Sequence, residues 1–251
     1  MRLMKCSCAM HLVFCVLFFC STARAEQYRF VTFHYPPYEF ATENLHAEGG
    51  IVEVVKAVMS NLGHQVNIRV FPWTRALKMV RTGQADAIFT AYKTPEREQF
   101  LDYSKEILFP QAVYFYKKEG GGANFEGDLK ALRSKKIGVV STISYGGIFE
   151  QHKANLQLDR ASNLAQSFNK LMKERIDLVP SDRNVAEHTL AKLGISDKIV
   201  RIATKLESVP SYIAFTKKRN LTNLRDDFDR ELAKMKLSGE YETILRENGI
   251  N

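Results

Sequence analysis

Two short stretches constrain this chain more than anything else in it. Ala112 to Tyr116 reads AVYFY and Tyr212 to Thr216 reads YIAFT, and a lysine pair follows each, Lys117-Lys118 and Lys217-Lys218. Both runs are rich in the β-branched and aromatic residues that suit a pleated, half-buried surface. They bracket a segment with its own α/β alternation. Lys136 to Val140 reads as a strand, a helix starts near Ile148, and Leu164, Phe168 and Leu171 mark another. Ile176 to Val179 is again a strand, Ala186, Leu190 and Leu193 mark a helix, and Ile199 to Ile202 is a strand. A chain that leaves one unit, builds a second and returns is one domain inserted into another, joined by two crossing strands. The expected lobes are 26–113 plus 214–251, and 114–213.

The outer segments alternate in the same way. Tyr28 to Phe33 is a strand that runs into His34-Tyr35-Pro36-Pro37-Tyr38, where two prolines end regular structure. Gly50 opens a helix with Ile51, Val55, Val58 and Leu62 on one face and Gly63 at its stop. Val66 to Phe71 is the next strand, and Pro72 starts a helix in which Trp73, Ala76, Leu77 and Val80 share a face. Trp73, the only tryptophan, is either core or cleft wall. The C-terminal run returns as helices, with Leu221, Leu224, Phe228, Leu232 and Met235 on one face. The order β-α-β-α-β is an α/β pattern whose ligands sit at the carboxyl ends of strands. Tyr35 and Tyr38 stand at such an end and either stack on a ligand or pack the turn. His34 has no second ligand at metal spacing and reads as a turn or rim residue.

The third strand carries the most chemistry. After Ala87 to Tyr92 the chain turns at Lys93-Thr94-Pro95. Thr94 suits an N-cap and Pro95 the first helical position. Arg97 then falls in the first turn, where free amides and the helix dipole favour an anion and a guanidinium supplies a two-pronged donor. The alternative is that Arg97 pairs with Glu96 or Asp102.

The N-terminus bounds the compartment. Arg2 and Lys5 precede an apolar run from Ala9 to Cys20, and Ala23-Arg24-Ala25 forms an A-x-A site, so residues 1–25 read as a secretory signal peptide cleaved after Ala25. A lipoprotein signal acylated at Cys20 or Cys15 is the rival, and the bulky Phe19 or Phe14 before the cysteine opposes it. All four cysteines (Cys6, Cys8, Cys15, Cys20) lie in this segment. The exported chain would hold no disulfide and no thiolate, and would rely on its core. Removing Arg2, Lys5 and Arg24 lowers the formal charge of +8 by three. The other basic residues are dispersed with no stripe or stacking motif, which argues against nucleic acid.

Several landmarks stand in order: Tyr35-Pro36-Pro37-Tyr38, Gly49-Gly50-Ile51, Gly83-Gln84-Ala85-Asp86-Ala87, Thr94-Pro95-Glu96-Arg97, Asp102-Tyr103-Ser104, Lys136-Ile137-Gly138-Val139 and Gly239-Glu240-Tyr241. With them the chain after residue 25 resembles a periplasmic solute-binding protein of the family-three, polar-amino-acid-binding type. Pro72-Trp73-Thr74-Arg75-Ala76 is similar to a widespread branch of that family. The resemblance implies two α/β lobes on a two-strand hinge with a ligand clamped between them. It implies that Arg97 holds a ligand carboxylate and that Asp182, five residues after Asp177, meets an ammonium. It further implies that Ser144, with Thr142 beside it, supplies a hydroxyl, and that Tyr35 or Tyr38 packs on the ligand. The alternative for both Asp182 and Ser144 is a purely structural role, Asp182 as the N-cap of the helix that follows it. Thr90, Ala91 and Tyr92 replace the family's serine- and glycine-rich contacts, so Thr90, Tyr92 and Trp73 join the candidates. No cofactor is implied. The implied partner is a small ligand and an inner-membrane ABC permease or sensor, the chain being a monomer. The family also resembles the source of a few periplasmic dehydratases, for which Glu39 or Asp182 would be the acid/base.

Overall fold

The computed structural model describes residues 27–250, so the signal-peptide reading and all four cysteines lie outside the described residues. From the N-terminus, strand β1 (Gln27–Thr32) leads through the Pro36-Pro37 turn to β2 (Phe40–Ala41) and β3 (Ala47–Glu48), which form a small ribbon. Helix α1 (Gly50–Asn61), β4 (Gln65–Val70), α2 (Trp73–Arg81) and β5 (Ala87–Ala91) follow, then α3 (Pro95–Glu98) and β6 (Leu101–Tyr103). The long strand β7 (Phe109–Lys118) leads into β8 (Lys136–Val140), α4 (Gly147–His152), β9 (Gln157–Ala161), α5 (Leu164–Met172), β10 (Val179–Asp182) and α6 (Arg183–Leu193). Strand β11 (Ile199–Thr216) returns, and α7 (Thr222–Ser238) and α8 (Glu240–Glu247) close the chain.

The first α/β unit is the expected one. β1 pairs in parallel with β4 and with β5, and α1 buries Ile51, Val55 and Val58 completely, as their helical spacing predicts. Gly49, the N-cap of α1, has φ +120°, and a Cβ there would lie 2.4 Å from the Tyr38 carbonyl oxygen. Glycine therefore lets the tyrosine turn lie directly against the start of the helix. Leu224, Phe228, Leu232 and Met235 of α7 pack into the same core.

The bracketing strands prove longer than their apolar runs. The sheet order is β10-β7-β11-β5-β1-β4, with β6 also on β11, and β7 and β11 are antiparallel neighbours from Phe109↔Ser211 to Lys118↔Ile199. The expected strands Ile199 to Ile202 and Tyr212 to Thr216 are thus the two ends of one. Pro210 does not break it: it faces Pro110, and neither position has an outer strand awaiting an amide hydrogen. The strand expected at Ile176 to Val179 is displaced to β10, because residues 177 and 178 run beside β8 before the chain joins β7. The result is two α/β halves joined through a pair of long strands. Among the described residues no helix is long and apolar enough to cross a membrane.

Candidate ligand cleft

Between the halves lies a small cavity of about 40 Å³, room for roughly three waters. It is lined by Tyr35, Trp73, Thr90, Tyr92 and Arg97 from one side and by Thr142, Ile143 and Ser144 from the β8–α4 loop, with Phe33 and Gln111. Seven of the expected site residues thus share one space.

Arg97 is placed by local structure. Thr94 caps α3 by accepting from the Arg97 amide at 3.4 Å, and Pro95 stands at the first turn. The helix is only one turn long, so it contributes position rather than a dipole of any size. Arg97 Nη1 donates to the Tyr92 carbonyl at 2.8 Å, and the Tyr103 hydroxyl donates to that same oxygen at 2.9 Å. The guanidinium lies 4.7 Å from the Trp73 ring centroid, and Phe33 meets the indole edge-on at 5.1 Å. Trp73 is therefore cleft wall. Neither expected acid partner forms an ion pair with Arg97: Asp102 holds Arg225 at 2.6 Å, and the carboxyl of the exposed Glu96 is held below its ordinary range first by a hydrogen bond with Thr94, the Arg97 charge being the smallest of the causes. Among the described residues no carboxylate pairs with Arg97. A half-buried, oriented guanidinium without an acid partner is a ready carboxylate receptor.

The floor of the cavity is hydroxyl and amide. Tyr92 and Tyr35 both donate to Gln111 Oε1, Tyr35 at 3.5 Å, and burial pushes both phenols well above the ordinary tyrosine range. They act there as neutral donors. Gln111 is 1% exposed and its amide nitrogen makes no hydrogen bond among the described residues, which leaves a donor for a ligand. Thr90 has φ +56°, a strained conformation for a β-branched residue, and its hydroxyl donates to Glu39 Oε2 at 2.9 Å. Across the cleft, Ser144 donates to Glu150 at 3.4 Å, while Thr142 is exposed and makes no side-chain hydrogen bond among the described residues. Val140 N donates to the Tyr145 hydroxyl at 2.7 Å, which ties down their loop.

Tyr38 and Asp182 are brought together, but behind the cavity wall. The fully buried Tyr38 hydroxyl donates to Asp182 Oδ1 at 2.6 Å, and that oxygen also accepts from Val185 N at 3.2 Å as the N-cap of α6. Oδ2 accepts from Ala112 N at 3.0 Å, and Asn184 Nδ2 donates to the Tyr38 hydroxyl at 3.1 Å. Burial pushes the Asp182 carboxyl up, and these donors pull it back. Its oxygens are occupied, and neither residue lines the cavity. Glu39 is also fully buried and outside the lining. No group of three or more His, Cys, Asp or Glu among the described residues could hold a metal.

Sequence reasoning missed Phe33, Ile143 and Gln111. The signal for Gln111 was present: in FPQAV the buried phase of the alternation falls on Phe109, Gln111 and Val113, and a polar residue in that phase asks for a partner.

None of the curated proteins matches the chain. Solved structures do, at the level of fold. A mutant of ArgBP from T. maritima superposes with a TM-score of 0.71 at 22% identity over 88% of this chain and 94% of that one. A histidine kinase sensor domain with similarity to periplasmic binding proteins gives 0.72 at 18% over 89% and 96%. The ancestral amino acid-binding protein AncCDT-1, a precursor of cyclohexadienyl dehydratase, gives 0.69 at 21% over 88% and 94%. The fold is the two-lobed one of periplasmic binding proteins. The family model for bacterial extracellular solute-binding proteins, family 3, matches residues 28–249, nearly everything described, and the chain belongs to that family.

Proposed function

We propose that this chain is a binder without catalysis, exported to the periplasm, that clamps a small polar, carboxylate-bearing ligand between its lobes. The single observation behind this reading is Arg97: in no ion pair among the described residues, oriented by the Tyr92 carbonyl, stacked on Trp73 and lining an interlobe cavity. The ligand carboxylate takes the guanidinium, and the Gln111 amide and the Thr142 and Ser144 hydroxyls complete its polar shell. Each charge-assisted bond of this kind contributes about 1.5–3 kcal/mol net. Contacts from the β8–α4 loop form fully only when the lobes approach, so ligand favours the closed arrangement. A membrane partner, an ABC permease or a sensor, then reads the closed form.

The amino-acid version of this reading rests on the resemblance. Asp182 is its ammonium partner only if a ligand displaces Tyr38 or an amide, so a carboxylate without an amine fits the geometry at least as well. An enzyme on this scaffold would need an acid/base that reaches the ligand, and Glu39 and Asp182 both stand outside the cavity lining.

A thermal-shift screen against amino acids, dicarboxylates, sugars and polyamines tests the class. A ligand at a hundred times its dissociation constant adds about 2.7 kcal/mol to stability. Hits are expected to carry a carboxylate and to be recovered unchanged after incubation. A response to sugars or polyamines alone contradicts the reading, and product formation contradicts the absence of catalysis.

A further inference from the structure

The small cavity opens beside a much larger one. A cavity of about 570 Å³ shares Phe33, Tyr35, Trp73, Thr142 and Ile143 with it and extends outward between the lobes. Three basic or titratable side chains converge on this outer space: His34 from the tyrosine turn, and His188 and Lys192 one turn apart on α6. None of the three pairs with an acid: no salt bridge among the described residues includes them, and no Asp or Glu stands among the lining residues. The walls supplied by α2, α5 and the β8–α4 loop bring only Trp73, Ser162, Asn163, Thr142 and apolar groups. The unpaired Lys192 charge, with two imidazoles, one from each lobe, that donate when neutral and gain charge on protonation, makes this space, contiguous with the Arg97 cavity, a receptor for an anion at a second position.

We infer that His34, His188 and Lys192 form a distal subsite for a second acidic group, so that the ligand is an elongated molecule with a carboxylate at Arg97 and a further carboxylate or phosphoryl group at its other end. This deepens the proposed function and rests on it. The volumes agree with it: the inner cavity accommodates little more than the head of such a ligand, and the outer one has room for its body. Binding is also pH-sensitive in a definite direction. Burial, with Lys192 and His188 nearby, lowers the His34 pKa below the ordinary 6.5, and burial with Lys192 lowers that of His188. Both rings are neutral at neutral pH and gain charge as the pH falls below 6.5, where a distal carboxylate is still ionised.

Calorimetry with matched probes tests this. Norleucine and hexanoate end in a methyl group, 2-aminoadipate and adipate end in a carboxylate, and 2-amino-5-phosphonopentanoate ends in a phosphonate. The acid-ended probes should bind about tenfold tighter than their methyl-ended partners. That advantage should grow from about pH 7.5 to about pH 5.5. Lys192→Ala should remove most of the advantage and leave the methyl-ended probes unaffected, and His34→Ala with His188→Ala should remove its pH dependence. The carboxylate and phosphonate arms decide which acid is preferred. If methyl-ended probes bind in an Arg97-dependent way and acid-ended ones are no tighter, or if Lys192→Ala weakens both equally, the subsite is wrong and the proposed function stands. If no carboxylate probe binds, both fall.

Discussion

Glu39 carries a carboxyl into a place with no cation to meet it. It is fully buried, Oε1 has no hydrogen-bond partner, and Oε2 is held by the Thr90 hydroxyl. Burial pushes its pKa well above the ordinary 4.5; Thr90 opposes this, and so does Thr32, which lies near without a well-formed bond. At low pH the carboxyl is protonated in both folded and unfolded chains and has no linkage effect. Above about 4.5 the unfolded chain ionises and the folded one resists, so stability falls as pH rises toward the folded pKa. The melting temperature of Glu39→Gln should therefore gain on wild type between about pH 5 and pH 8. A constant difference across that range would show that Glu39 is ionised in the fold. Thr90→Val keeps the shape but strands Oε2, and should lower stability by about 1–3 kcal/mol in denaturant titration. The sequence showed the residue types at this site but not their pairing. Thr90 was legible as a departure in the third strand, yet its bond to Glu39 spans 51 positions and is set by the tertiary fold.

Among the elements, α4 most clearly couples the cleft to the long strands. Its six residues are too few to hold themselves, and the Glu207 carboxylate on β11 accepts from Gly147 N at 3.1 Å and Ile148 N at 2.9 Å. Gly146 precedes it at φ +102°, where a Cβ would lie 2.2 Å from Glu207 Oε2. Glu207→Ala should cost about 0.5–2 kcal/mol, as the loss of a helix cap does. It should also speed hydrogen exchange at residues 144–149 while the α7 core stays protected; unchanged exchange there would mean the loop is held by Tyr145 alone. This cap was invisible in the sequence, because a glutamate 60 residues downstream carries no local signal. The Thr94-Pro95 start of α3 was legible, since capping is local, whereas its one-turn length was not. Strand β11 was read as two pieces because Pro210 and its flanking polar residues hide a pairing that only β7 makes evident.

For the whole molecule, the apolar periodicities of the outer segments, the two aromatic strands and the ordered landmarks were enough to read two α/β lobes, because each half repeats its pattern over long spans. The cleft was half legible. Seven residues named from the sequence line one cavity, while Tyr38 and Asp182 turned to each other to form a buried link between residues 144 positions apart. Family spacing places an aspartate; the donors that reach it decide whether a ligand can. The proposed recognition depends on a carboxylate meeting Arg97. Titration calorimetry of a carboxylate ligand from the screen against wild type, Arg97→Lys and Arg97→Ala tests that directly. The alanine variant should lose about 1.5–3 kcal/mol of binding free energy, roughly ten- to a hundredfold or more in dissociation constant, with lysine between, since it keeps the charge without the two-pronged geometry. Equal affinity in all three proteins would contradict the account.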